Sequence, residues 1–391
     1  MRVMQESTFQ KAFIKTLIEG CASNQTRNTD WRRLGHGLGK RLKIRIADLY
    51  SSLLHRSGLV QCDYRPAALA FILEHFEQFE NSYRLLADDS SRALLVKLLA
   101  FKVLGPRHVK LPRNSPQFWE KYRSINHTYC RQKRTIAVWN QTWLLNRYEL
   151  PAQHGVISLH AHPLTVLATC LLEQYAYRSS NAVVSAKPGD VVIDGGGCWG
   201  DTALYFADKA GERGRVLSFE FMPENIAVFK MNLGLNPRLA GTIELVPEAL
   251  WNCSGKTLSF DSNGPGTRVG SESTRSESPN AVQTVTIDDY VVRQKLPRVD
   301  FIKLDIEGAE LHALQGASQT IKSFKPRLAI SVYHKEDDLL LIPAWLDALG
   351  VGYRFFLDHF TIHTEETVLF ASAEPGVSMA PETEAMVRPG V

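Results

Sequence analysis

The chain has 391 residues and only six cysteines, and no two of them form a C-x-x-C pair. Cys21, Cys62, Cys130, Cys170, Cys198 and Cys253 are scattered, which excludes a zinc-ribbon spacing or a disulfide framework and predicts reduced thiols. Long hydrophobic runs are just as scarce. No stretch reaches the ~18 apolar residues that a membrane span needs; the best, "ALLVKLLAFKVLG", is broken by Lys97 and Lys102. The first twenty residues mix charges into their apolar pattern and lack the apolar core of a signal peptide. Neither sign of charge is in excess. With 45 Lys/Arg against 41 Asp/Glu, the net charge of +4 is too mild to argue for nucleic acid by itself. Together these absences predict a cytoplasmic protein with no membrane span.

What is present is a globular composition, 44% hydrophobic and 22% charged, on a chain long enough for two domains. Residues 1–135 read as a mainly helical region: "IADLYSSLLHR", "ALAFILEHFEQFENSYRLLA" and "SSRALLVKLLAFKVLG" carry apolar residues three to four apart, and "DDSS" at 88–91 offers N-caps. Residues 136–190 form a connecting segment, with "VISLHAH" as a strand and "LTVLATCLLEQYAY" as a helix. From 191 to 371 short apolar runs alternate with amphipathic segments. That pattern implies a doubly wound, mostly parallel sheet with ligands at the carboxyl ends of its strands. The last two strands, near 353–359 and 366–371, have no helix between them, so one is expected to be antiparallel. The stretch 261–280 reads as a long loop and candidate lid, and 372–391 as a disordered tail.

The strand-to-helix turn "VVIDGGGCWGDT" (191–202) can be read in two registers. Gly195, Gly197 and Gly200 spell G-x-G-x-x-G, which predicts a dinucleotide. Asp194-x-Gly196-x-Cys198-x-Gly200 is an acid-led loop instead. A carboxylate at the strand end repels a pyrophosphate and favours a cation, so the second register points to S-adenosyl-L-methionine. Glu220, 26 residues on, ends the next strand where an acid can accept both ribose hydroxyls. Glu248 and Ala249 fall where an adenine would lie. In "VDFIKLDIEGAE", Lys303 and Asp305 share one face by two-residue periodicity, and Asp305 and Glu307 fall where a methyl donor would meet its acceptor. His334 emerges at the end of the following strand, a base candidate at the site's rim. The remaining histidines show no metal-ligand spacing, so no metal site is expected.

These pieces, with "GRVLSFEFMPENIAVFKMNLGLNP" and "KPRLAISVYHKEDDLLLIPAWL", resemble the FkbM family of S-adenosylmethionine-dependent methyltransferases over about residues 190–371. "FIKLDIEGAELHALQGA" is the most specific stretch. The resemblance implies a class I methyltransferase-like fold, with a seven-stranded sheet and one terminal antiparallel strand. It implies S-adenosyl-L-methionine as cofactor and O-methylation of a hydroxyl on a sugar, glycan or natural product. The candidate donor-binding set is Asp194, Gly195, Gly196, Cys198, Gly200, Thr202, Glu220, Phe221, Glu248, Ala249 and Asp305, of which the resemblance carries Asp194, Gly196, Gly200, Glu220 and Asp305. The catalytic candidates are Asp305, Glu307, His334 and Lys303, with Asp305 or His334 as base or orienter. Two departures stand out: Cys198–Trp199 replaces a pair usually containing Asn, and "SVYHK" replaces an acid-containing strand end.

Three other readings remain open. The basic stretch 27–46, with Trp31 inside it, could track the phosphates of an RNA substrate. An NAD-linked oxidoreductase would use the first register, and a non-catalytic module would keep the fold without turnover. The N-terminal helices are expected to shape the acceptor site or to mediate homodimer formation.

Overall fold

The computed structural model describes residues 7–22, 65–106, 108–139, 143–153, 155–261, 268–272 and 281–374. Its centre is a seven-stranded sheet made of β1 (Val191–Gly195), β2 (Arg215–Phe219), β3 (Ile243–Val246), β4 (Phe301–Leu304), β5 (Arg327–Ser331), β6 (Arg354–His359) and β7 (Thr367–Ser372). Their spatial order is β3-β2-β1-β4-β5-β7-β6. All neighbours are parallel except that β7 runs antiparallel to both β5 and β6. This is the doubly wound sheet with one reversed strand that the sequence pattern predicts. The order reverses between β1 and β4, so a crevice opens outside their carboxyl ends.

Each central strand is buried on both faces, and strand periodicity divides its side chains between two cores. Ile193, Leu217, Ile302, Leu328 and Leu369 face a core closed by the N-terminal helices, including Phe9, Phe79, Leu95 and Leu99. Val192, Val216, Phe301, Ala329 and Phe370 face the other core, with Leu204 and Phe206 and with Tyr148, Leu159 and Val166 from upstream. The N-terminal helices therefore cover one face of the sheet. Helix Asp89–Leu104 starts where expected, with Asp88 Oδ1 accepting from Ser91 N at 2.8 Å.

Several expectations need correction. The helical region ends before residue 135: Cys130–Val138, Trp143–Ala152 and Gly155–Ala161 form a three-stranded antiparallel sheet. "LTVLATCLLEQYAY" is not one helix. A helical turn over Pro163–Thr165 passes into a wider π-helical turn, Val166–Leu171, and the chain then enters a short strand, Tyr177–Ser179. β-Branched Val166 and Thr169 and the aromatic pair Tyr175 and Tyr177 resist a continuous helix. Within 261–280, Arg268–Glu272 is a strand paired with Thr257–Asp261. Ser372, placed in the tail expected over 372–391, instead ends β7; the candidate lid's residues 262–267 and 273–280, the basic stretch 27–46, "IADLYSSLLHR" and residues 375–391 lie outside the described residues. Among the described residues, no helix is long and apolar enough to cross a membrane.

Candidate functional site

A cavity opens at the carboxyl ends of β1, β2 and β4. Its walls come from the glycine turn (Gly196, Cys198), the end of β2 (Phe219 to Met222), the following helix (Asn225), the segment Glu248–Leu250, and the turn after β4 (Asp305, Ile306, Glu307, Ala309). Four of these residues are acids and none is basic.

The glycine turn is built against β4. Gly196 has φ +81°, and a Cβ there would lie 2.0 Å from the Asp305 carbonyl oxygen, so only glycine fits. Gly200, at φ +82°, starts helix Asp201–Ala210 and lies against the Phe229 ring. Cys198 also adopts a left-handed conformation, φ +42°, and lines the cavity. Trp199 turns away from it. It is 1% exposed and packs with Leu145 and Val228, its ring 6.1 Å from that of Trp143. Its carbonyl accepts from Asn232 Nδ2 at 2.8 Å. The departure at 198–199 thus serves the three-stranded sheet, which Trp199 joins to the turn.

Asp194 does not line the cavity. Its carboxylate is fully buried; Oδ2 accepts from Thr202 Oγ1 at 2.8 Å and Ser218 Oγ at 2.7 Å, and Oδ1 pairs with Lys303 Nζ at 3.1 Å. Lys303, 1% exposed, also donates to the carbonyls of Gly195 and Gly196 at 2.9 and 2.7 Å. Burial pulls the Lys303 pKa down, but Asp194 and Asp305 more than reverse this, and it stands above its ordinary value. Lys303, Asp194 and Thr202 are therefore a scaffold beneath the turn. The electrostatic argument attached to Asp194 is corrected accordingly, because its charge is answered internally. Gly195 is buried in the strand, and it, Asp194, Gly200 and Thr202 all lie behind the cavity wall.

Glu220 faces the cavity. Oε1 accepts from Met222 N at 2.8 Å and Oε2 from Asn225 Nδ2 at 3.1 Å. Burial pushes its pKa up to about 7 against these hydrogen bonds. Phe221 and Ala249 line the same end, and Glu248, also on the wall, pairs with Arg293 at 3.1 Å.

At the other end, Asp305 Oδ2 accepts from Tyr175 Oη at 2.7 Å, and Oδ1 lies 3.3 Å from Tyr333 Oη. Burial pushes the Asp305 pKa up, but His334, Lys303 and the Tyr175 hydroxyl outweigh it and hold the carboxyl below its usual range. Glu307 stands at φ +56°, its side chain 24% exposed on the cavity wall. His334 is not at an open rim: its side chain is 3% exposed. Its Nδ1 is 2.9 Å from Glu310 Oε1, and Nε2 is 3.5 Å from both Asp305 Oδ1 and Glu307 Oε2. Burial opposes its protonation, but Glu310 and the two other carboxylates raise its pKa to about 10. Sequence reasoning missed Tyr175, Asn225 and Glu310. Asn225 and Glu310 sit inside the quoted motifs, near helix starts; Tyr175 is 130 residues from its partner and carries no local signal.

Residues 183–355 match the Methyltransferase FkbM domain family. Over that segment the chain is similar to FkbM methyltransferase domains. It is similar to hexuronic acid methyltransferase AglP of Haloferax volcanii, 28% identical over 138 residues. That match covers 35% of this chain and only 54% of the relative, about half its length. Among solved structures, methyltransferase FkbM from Methylobacillus flagellatus is 20% identical with a TM-score of 0.49, over 86% of this chain and 71% of that one. Aeropyrum pernix fibrillarin, solved with natively bound S-adenosyl-L-methionine, is 14% identical with a TM-score of 0.31, over 47% and 67% of the two chains. The seven-stranded sheet has the class I methyltransferase strand order, and Tyr175 lies outside the matched segment.

Proposed function

We propose that this chain transfers a methyl group from S-adenosyl-L-methionine to a hydroxyl of a sugar, glycan or related natural product. The observation that carries the reading is the cavity wall. Among the described residues, Glu220, Glu248, Asp305 and Glu307 face it and no basic side chain does, a field that repels a pyrophosphate and suits a sulfonium and an ammonium. The residues fit that donor. Glu220 is open to accept two ribose hydroxyls, Ala249 and Leu250 offer an apolar seat for a base, and Gly196 brings bare backbone against the ligand. When bound, the donor supplies an electrophilic methyl group.

The chain's own part is to bind, orient and move one proton. Asp305, fixed by Tyr175 and Tyr333, orients the acceptor hydroxyl. Glu307, the more exposed of the two acids, takes its proton. His334 is turned to carboxylates on both nitrogens and serves as their counter-charge rather than as the base. The sugar class is supported by the hexuronic acid relative, and a cytoplasmic setting by cysteines that are free wherever described. The test is thermal shift followed by labelled-methyl transfer. S-adenosylhomocysteine should raise the melting temperature and NAD should not, and label should pass to a sugar or glycan hydroxyl. Protection by NAD alone would refute the donor, and transfer only to RNA would refute the acceptor.

A further inference from the structure

The hairpin of Cys130–Val138 and Trp143–Ala152, upstream of the matched segment, brings a tryptophan to the Glu220 end of the cavity. On the strength of the S-adenosyl-L-methionine reading, we propose that Trp139 is a positioning residue for the donor: it fixes Asn225, and through Asn225 the carboxylate of Glu220.

The backbone turns this side chain inward. The two strands stay in register up to the pair Val138 and Trp143. Trp139 follows at φ +54°, a left-handed conformation that bulky residues seldom adopt and that persists only where the surroundings hold it. What holds it is a small core of Met222, Ala249, Phe260 and Val282, against which Trp139 and Phe221 both pack. The rings of Phe221 and Phe260 lie 5.3 Å apart. Phe221, Met222 and Ala249 line the cavity, so Trp139 stands directly behind that wall.

Hydrogen-bond polarity then sets the order Trp139, Asn225, Glu220. Trp139 Nε1–H donates to Asn225 Oδ1 at 3.4 Å, a long contact, and Asn225 Nδ2 donates to Glu220 Oε2 at 3.1 Å. An indole N–H can only donate, and an ionised carboxylate can only accept. Asn225, 3% exposed between them, is therefore held with its oxygen toward Trp139 and its nitrogen toward Glu220. The reverse orientation would set the amide oxygen against the carboxylate. Trp199 is the contrast: it fills its core with an Nε1–H that has no hydrogen-bond partner among the described residues, whereas that of Trp139 is aimed at a residue of the cavity wall.

Positioning of this kind has a consequence that packing alone lacks. Asn225 favours the ionised form of Glu220, together with the backbone N–H groups of Met222, Phe221 and Cys198. The Cys198 thiol beside it is pushed far up by burial, Asp201 and Glu220, and stays neutral. Loosening Asn225 therefore moves the titration of Glu220 to higher pH.

The test is S-adenosylhomocysteine binding to the full chain by calorimetry, across about pH 5.5 to 8.5. Trp139→Phe keeps a ring and loses the N–H; Trp139→Ala loses both. The dissociation constant should rise about threefold in the first and about tenfold in the second. The pH midpoint of binding, near 7 in the wild type, should move upward in both and in Asn225→Ala. Trp139→Phe should add nothing once Asn225 is replaced. Leu144→Ala, exposed on the same hairpin, should change neither quantity. Should Trp139→Ala fail to fold, Trp139→Phe and its midpoint carry the test. Wild-type affinity and an unmoved midpoint in Trp139→Phe would overturn the proposal, as would an equal loss in Leu144→Ala. Wild-type protein that binds no S-adenosylhomocysteine would instead overturn the donor reading, and the role of Trp139 with it.

Discussion

The carboxyl ends of β1 and of β4–β5 both carry buried acids, yet they are charged in opposite ways. Under the glycine turn, Asp194 meets Lys303 and two hydroxyls, and Lys303 meets two carbonyls, so the one acid is balanced by one base, with Oδ1 held by that ion pair alone. Around His334, three carboxylates share one imidazole, so acids outnumber bases. The first arrangement is that of a scaffold, which gains nothing from a ligand. The second carries three acids to one imidazole beside a cavity, an imbalance that a cationic ligand can relieve. A charged residue in a motif is therefore identified by whether its partners are already present, not by its place in the motif.

The sharpest way to break this contrast is to open the closed side. Lys303→Met leaves Asp194 buried and unpaired and should destabilise the fold by about 3–5 kcal/mol in urea or thermal unfolding. Adding Asp194→Asn should recover part of that loss, and a double-mutant cycle reads the coupling. On the open side, Asp305→Asn should lower turnover on the order of 100-fold while changing the S-adenosylhomocysteine dissociation constant by no more than about threefold. Equal losses in both would move Asp305 from the acceptor to the donor.

Glu220 gives a smaller effect with a pH signature. Glu220→Gln should weaken donor binding roughly 10- to 100-fold. With its free pKa at about 7, ligand hydroxyls that need the carboxylate bind only the ionised form. The dissociation constant should rise about tenfold for each pH unit below 7 and flatten above about 8, and Glu220→Gln should remove the slope. The smallest change belongs to Trp199→Phe. It loses volume from a packed site but also removes a buried Nε1–H that has no hydrogen-bond partner among the described residues, so a net cost of about 1 kcal/mol is expected by denaturant titration.

How much of this was legible follows from distance along the chain. The parallel strands show in the sequence because burial on both faces demands contiguous runs such as Val191–Ile193 and Phe301–Ile302. Glu220 and Glu307 show because they sit at strand or motif ends that open directly on the cavity. Lys303 was read with Asp305 because alternation puts them on one side, but only Asp305 lies past the end of β4, whereas Lys303 reaches sideways to the neighbouring strand. His334 lay at the right strand end, and its burial by Glu310 across 24 residues had no local signature. The helix expected over 164–177 failed for the same reason that Tyr175 was missed. That segment is shaped by what it packs against, not by its own periodicity.

Trp199 and Tyr175 together set where this chain can be cut. The family resemblance begins at residue 183, but Tyr175 supplies the hydroxyl on Asp305, and the sheet from Cys130 to Ala161 holds the glycine turn through Trp199. The last strand, β7, lies beyond residue 355 and fills the sheet between β5 and β6. A chain trimmed to the recognisable segment would lose a core wall, all of β7 with most of β6, and a site hydroxyl at once. The smallest unit that folds is therefore larger than the unit that similarity marks out, and swapping domains between relatives would have to follow the packing boundary.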